Sequence, residues 1–280
     1  VGPWPTAGGD PLTVSFDDLR ARGFRLLDHP GVRTWARREA ADWVRYVLEG
    51  GRTLHQAAEA DPRSREMAGR GPVYVIPAKL PAEERHSSGG EWAVRHYLRG
   101  GRVVSRLLGD RYLKVGDRRP FQELRVNETA RDRGVPTARV MAAALYPDRL
   151  FYRGDLVTEM VPGSSDLVEA LFDPRRKGMG GAVERRDALR AAGQLIRKLS
   201  ASGLSHQDLH AGNVLLRWSG AAPDPFLVDL DRCRVGEEGA SGDPRAMLRR
   251  LERSLRKWEK IAGLALSQAE WATLEETALG

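Results

Sequence analysis

Cysteine is almost missing from this chain of 280 residues: Cys233 stands alone, so no internal disulfide can form and a reducing compartment is the expected setting. Also missing is any apolar run near the ~20 residues that a membrane-spanning helix needs. The opening VGPWPTAGGDP has neither the basic start nor the apolar stretch of a secretory signal, which makes the cytoplasm the expected location. No internal repeat or low-complexity tract is found, which excludes solenoids and linker-like chains. Aromatic residues are sparse at 7%, and no aromatic RNA-binding motif, zinc-ligand spacing or helix-turn-helix pattern stands out. No nucleic-acid partner is therefore expected, although 45 Lys and Arg outnumber 38 Asp and Glu. The net charge of +7 favours anionic partners of another kind, such as phosphates or lipid head groups. What is present, 41% apolar and 30% charged residues, is a soluble globular composition long enough for a full core.

Residues 1–12, rich in Gly and Pro, read as a lead-in, with order expected from Thr13. Residues 1–60 form an expected N-terminal extension, with an apolar patch at Phe16, Leu19, Phe24, Leu26 and Leu27. A surface helix within Trp35–Leu54 carries Trp43, Val44, Val47 and Leu48 at helical spacing. Residues 61–162 read as a small β-rich lobe. Val73–Ile76 and Trp92–Tyr97 are adjacent antiparallel strands, Phe121–Arg131 is a helix stopped at Gly134, and Leu156–Val161 is a further strand. Residues 163–280 read as a larger helical lobe. A helix over 186–201 ends at Gly203, Asp243-Pro244 opens a helix carrying Met247, Leu248, Leu251, Leu255, Trp258 and Ile261, and Ser267-Gln268-Ala269-Glu270 is a capping box for the last one. The expected fold class is α+β.

The stretch His206-Gln207-Asp208-Leu209-His210-Ala211-Gly212-Asn213 is followed, sixteen residues after Asn213, by Asp229-Leu230-Asp231. It resembles the catalytic loop and metal-binding strand of protein-kinase-like phosphotransferases. That chemistry needs a carboxylate to take or orient the proton of an attacking hydroxyl, an amide turned back towards a metal, and a second carboxylate reaching the same metal. Asp208 fits the first role, Asn213 and Asp229 the other two. A cation for the nucleotide phosphates and a helix carboxylate to hold it are also required, and Arg95 and Glu123 match by position. Lys79 in Val75-Ile76-Pro77-Ala78-Lys79 is the rival cation, but the flanking prolines suit a central strand poorly. Glu128 is expected to be a solvated helix glutamate. Gly69-Arg70-Gly71 is either a loop over the phosphates or a hairpin turn.

Val94–Gly101, Arg106–Leu113, Phe121–Leu124, Leu156–Gly163, the loop around Asp208, Val228–Arg234 and Leu248–Lys257 together resemble the lipopolysaccharide core kinases, especially those that act on 3-deoxy-D-manno-octulosonic acid (Kdo). The resemblance covers about residues 66–258. It implies a protein-kinase-like two-lobed fold, use of ATP with Mg2+ or Mn2+, and phosphorylation of a Kdo hydroxyl on a lipid A precursor at the cytoplasmic face of the inner membrane. His210 stands where this family usually has asparagine, and Leu230 where it often has phenylalanine, so the phosphotransfer is better marked than the acceptor sugar. His210 and Asp231 are candidates for the acceptor side. Between Arg95 and Arg119, eight basic residues face two acidic ones, a local charge of +6. Within it Arg102, Arg106 and Arg111 are candidates for drawing in an anionic, lipid-linked sugar or the anionic membrane surface itself. No obligate protein partner is evident. The alternatives are an aminoglycoside- or choline-type phosphotransferase, which shares the HxDLHxxN text, and a basic pseudokinase scaffold.

Overall fold

A computed structural model describes residues 12–67, 72–78, 90–97, 112–113, 119–148, 151–173, 181–220 and 222–280. It divides into two compact units, one running to Glu128 and resuming over Arg139–Met160, the other comprising Thr129–Ala138 and Val161–Gly280.

In the first unit the chain runs α1 (Phe16–Ala21), β1 (Phe24–His29), β2 (Val32–Arg37), α2 (Arg38–Glu49), α3 (Leu54–Glu59), β3 (Arg65–Met67), β4 (Val73–Pro77), β5 (Glu91–His96), β6 (Tyr112–Leu113), α4 (Arg119–Asp132), β7 (Val140–Asp148) and β8 (Phe151–Glu159). The last residues of α4 already belong to the second unit. The strands form one antiparallel sheet in the order β1-β2-β7-β8-β5-β4-β3, with β6 also on β8. Capping boxes at Ser15/Asp18 and Thr53/Gln56 start the short helices α1 and α3.

Two cores cover the two faces of the sheet. Trp43, Val44 and Val47 of α2 pack with Ile76, Trp92, Val94 and Val157 on one face, and Trp43 meets Trp92 edge-on at 5.7 Å. Leu19, Phe24, Phe121, Leu124, Leu145 and Leu156 build the core on the other. Strand β7 lies between them with Val140–Leu145 all buried, so its Ala-rich run lacks the alternation that marks a half-exposed strand.

Three expectations change here. Residues 12–60 are not an extension, because β1 is an edge strand of the main sheet, β2 lies between β1 and β7, and α2 and α3 cover the sheet. Trp35 sits in β2, not in a helix. Glu128 is not solvated: it is 4% exposed, and Arg37 donates to its Oε1 at 2.7 Å while also donating to the carbonyl oxygens of Val140 and Arg22. The N-terminal residues make this possible, since Arg125 of α4 likewise donates to the Val14 carbonyl at 2.6 Å. The polar helix is thus buried with Arg37 and Arg125 each donating to buried acceptors.

The second unit runs β9 (Ser164–Asp166), α5 (Leu167–Phe172), α6 (Gly181–Ala201), β10 (Leu204–His206), β11 (Val214–Trp218), β12 (Pro223–Leu227), β13 (Cys233–Val235), α7 (Pro244–Ala262) and α8 (Gln268–Leu279). Asp243 caps α7 by accepting from Ala246 N–H at 2.8 Å, with Pro244 in the first turn, and Gly263 at φ 62° ends it. Helices α6 and α8 approach closely at Gly193, where a Cβ would collide with Thr277 Oγ1 and stand 2.9 Å from the Leu274 carbonyl oxygen. Two small sheets, β12-β11-β9 and β10-β13, carry the segments with the chemical motifs.

Candidate active site

The loop after β10 and the segment after β12 are far apart in sequence, and two strand pairings set them side by side. β10 pairs antiparallel with β13, placing His206 opposite Cys233, and β11 pairs with β12, placing Val214 opposite Leu227. Backbone bonds continue past both sheets: Val228 N–H donates to the Asn213 carbonyl at 3.0 Å, and Gln207 N–H to the Arg232 carbonyl at 3.0 Å. Leu209 and Ala211 are buried and anchor the loop, while Asp208, His210, Asp229 and Asp231 are half-buried. Ser254 of α7 accepts from Ala211 N–H at 3.1 Å.

His206 is the hub of this arrangement. Its Nδ1 accepts from Asp208 N–H at 3.2 Å, so Nε2 is left as the donor to the Asp229 carbonyl at 2.8 Å. The imidazole is 1% exposed, and burial pushes it below its usual pKa, against the opposing pull of the Asp229 carbonyl and of the Asp229 and Asp208 charges. Neutral His206 therefore ties the two acidic segments together. Among the described residues Asp229 is the only non-glycine with positive φ, at φ 60° and ψ 68°. A strained backbone on a half-buried aspartate is the kind of feature that collects at functional sites. Asn213 is 4% exposed, and its Nδ2 donates to the Asp208 carbonyl at 3.3 Å, which turns Oδ1 away as an acceptor. A carboxylate and an amide oxygen are hard donors suited to Mg2+ or Mn2+. No group of three His, Cys, Asp or Glu side chains able to hold a metal occurs among the described residues, and a mixed Asn and Asp pair is a different kind of site.

In the first unit Arg95 and Glu123 come together as their positions suggested. Arg95 Nη2 donates to Glu123 Oε2 at 2.6 Å, with Glu123 3% exposed. Tyr97, two residues on and thus on the same face of the strand, was missed by the sequence reading. Its hydroxyl donates to the same Oε2, and its ring lies 4.9 Å from the Arg95 guanidinium carbon and 5.6 Å from that of Arg119. The period-2 alternation through Arg95 is the signal that could have found it. One residue between them, His96 faces the other way and shares a 2.5 Å contact with Asp155, a fully buried carboxylate that also accepts from His55 N–H and Tyr146 O–H. Burial and the Asp155 charge hold Tyr146 well above its usual range, so it stays a neutral donor. Gly69, Gly71, Lys79, Arg102, Arg106 and Arg111 lie outside the described residues.

The lipopolysaccharide kinase (Kdo/WaaP) family is matched over residues 80–277, most of the chain. The chain belongs to that family. Members of the lipopolysaccharide kinase family similar to it include proteins named 3-deoxy-D-manno-octulosonic acid kinase. One from Vibrio cholerae serotype O1 is 31% identical over 59% of this chain and 65% of its own length. One from Haemophilus influenzae is 29% identical over 74% and 80%, and one from Vibrio parahaemolyticus 33% identical over 66% and 72%. The chain thus spans just under two thirds of the Vibrio cholerae protein and more of the others. A solved structure of WaaP in complex with acyl carrier protein aligns with TM-score 0.51 at 16% identity, covering 84% of this chain and 85% of that one. The fold is therefore protein-kinase-like and α+β, and the family makes the chain a phosphotransferase. Acyl carrier protein is a partner of that neighbour, and nothing in the sequence reading anticipated it. No helix among the described residues is long and apolar enough to cross a membrane.

Proposed function

We propose that this protein transfers the γ-phosphate of ATP to a Kdo hydroxyl on a lipid A precursor, a step of lipopolysaccharide core synthesis. The observation that carries this reading is the His206 bridge, which fixes Asp208, Asn213 and Asp229 on adjoining segments in the order that phosphotransfer chemistry requires. In it Asp208 accepts or orients the proton of the attacking hydroxyl, which raises the nucleophilicity of that oxygen as the bond to phosphorus forms. Asn213 Oδ1 and the Asp229 carboxylate hold the divalent cation, Mg2+ or Mn2+, which when bound neutralises charge on the phosphate oxygens. Arg95 grips phosphate oxygens with its planar fork, and Glu123 and Tyr97 hold that fork in place. Gly69 and Gly71 are assigned to the nucleotide side of the reaction. His210 and Asp231 face the acceptor, and the basic residues Arg102, Arg106 and Arg111 draw in a lipid-linked, anionic substrate and the inner-membrane surface that carries it.

The test is ATP turnover on a panel of purified acceptors, from Kdo-lipid A precursor to aminoglycosides and choline, with Asp208→Asn beside the parent. The expected result is phosphate transfer to the Kdo lipid, falling about 10²- to 10⁴-fold in the variant while its fold and nucleotide binding persist. Turnover confined to the cationic acceptors would overturn the Kdo assignment, and near-parent activity in Asp208→Asn would overturn the proton-accepting role.

A further inference from the structure

One row of α7 faces the loop that carries Asp208. Met247 Sδ accepts from His206 N–H at 3.4 Å, Arg250 Nη2 donates to Gln207 Oε1 at 3.5 Å, and Ser254 Oγ accepts from Ala211 N–H at 3.1 Å. At 3.6 residues per turn these three side chains fall within an arc of about 60°. Met247 and Ser254 are neutral and serve backbone donors of the loop, whereas Arg250 brings a full charge to a neutral amide. Arg250 is half-buried, so part of its water is lost, and it enters no ion pair among the described residues. One turn away on either side stand Ala246, Met247, Arg253 and Ser254, none of them acidic. A second cation stands across from Gln207. Arg232 is exposed, its carbonyl accepts from Gln207 N–H at 3.0 Å, and its side chain likewise enters no ion pair among the described residues. The register of β10 on β13, continued by one residue, sets Arg232 opposite Gln207 on the outer face of this ribbon, while His206 and Cys233 take the buried face. His206 is the residue that bonds to Asp229, so Gln207 and its cations lie on the opposite face of the ribbon from that contact.

We propose that Arg250, aided by Arg232, recognises an anionic group of the acceptor, a carboxylate or a phosphate, and so decides which sugar is presented to Asp208. A half-buried guanidinium without a counter-ion gains from an anion that replaces its lost water, and its planar fork pairs two oxygens of such a group at once. Gln207 holds the fork and is joined by one peptide bond to the proton-accepting residue, so an anion bound there anchors the acceptor beside Asp208. The inference rests on the phosphotransfer reading and deepens it by naming what the acceptor must carry.

Parent, R250Q and R250K are assayed at saturating ATP, in neutral detergent micelles so that surface charge does not enter. The acceptors are Kdo-lipid A precursor, the same lipid with its Kdo carboxylates as methyl esters, and the same lipid without its phosphates. R250Q should raise the acceptor KM for the intact lipid about 10- to 100-fold, with kcat within about twofold of the parent. R250K keeps the charge but not the fork and should raise it a few-fold; with an unchanged melting curve it serves if R250Q does not fold. One of the altered lipids should cost the parent a factor similar to that of R250Q. On that lipid R250Q should add less than about twofold, which identifies the anion as carboxylate or phosphate. R232Q should show the same pattern at a few-fold. An equal rise in KM on all three lipids would make Arg250 a prop for the loop and overturn the inference, as would an unchanged KM in R250Q. A parent inactive on every Kdo lipid but active on another acceptor would overturn the Kdo reading itself, and this inference with it.

Discussion

His206 bonds through both ring nitrogens to backbone groups of the segments that carry Asp208 and Asp229, and replacing it with phenylalanine keeps the buried ring while deleting both bonds. Each neutral hydrogen bond contributes about 1 kcal/mol net. The left-handed backbone at Asp229 loses a support that offsets a conformation costing about 1–2 kcal/mol. Because Asp208 and Asp229 are half-buried, water can reach part of what is exposed, so His206→Phe should destabilise the second unit by about 2–3 kcal/mol. The pH dependence is the sharper signature. An unfolded histidine titrates near 6.5, whereas folded His206 is held lower by burial, so below about pH 6.5 the unfolded chain binds more protons at this site than the folded one. The neutral imidazole's contribution is fully present above the unfolded value and is lost as pH falls towards the folded one, with a slope of at most about 1.4 kcal/mol per pH unit. Protonation at Nδ1 would also set a donor against the Asp208 N–H. Urea unfolding of parent and variant from about pH 7.5 to about pH 5 measures this directly. The parent should lose more stability with acid than His206→Phe does, and the difference should appear below about pH 6.5. Parallel pH curves, or a variant within about 0.5 kcal/mol of the parent at neutral pH, would refute the bridge.

The cation on the nucleotide is settled by comparing Arg95→Ala, which should raise the ATP KM sharply, with Lys79→Ala, which should leave it nearly unchanged; the reverse ranking would move the site to Lys79. Tyr97→Phe keeps the ring under Arg95 and removes the bond to Glu123, so it should raise the ATP KM a few-fold with kcat little altered, and a fall in kcat alone would remove Tyr97 from this role. Asp229→Ala should weaken metal-dependent nucleotide binding, read as a shifted Mg2+ titration, and an identical titration would count against it as a ligand. Arg37→Met leaves Glu128 buried without its cation and should cost about 3–5 kcal/mol in denaturation, whereas the double change Arg37→Met with Glu128→Leu should recover much of it; equal losses in both would show that the carbonyl contacts of Arg37 matter more than its charge.

Much of the second unit was legible in the sequence because its signals are local. Asp243-Pro244 and the Ser267–Glu270 box depend on neighbours within a turn or two, and the structure places helices where those signals point. The first unit was harder to read. Strand β7 is covered on both faces, so its Ala-rich run carries no alternation, and β1 and β2 join the sheet only through the pairing of β2 with β7.

By itself the sequence determined the order of the reactive residues, the helix starts and the excess of positive charge, since each is set by composition or by spacing along one element. Only the tertiary structure decided that residues 12–60 complete the main sheet, that Glu128 is buried against Arg37, that Tyr97 joins Arg95 and Glu123, and that His206 ties Asp208 to Asp229. Each of these rests on partners far apart in the chain, where a polar group's burial becomes favourable only when folding brings its acceptor or donor alongside.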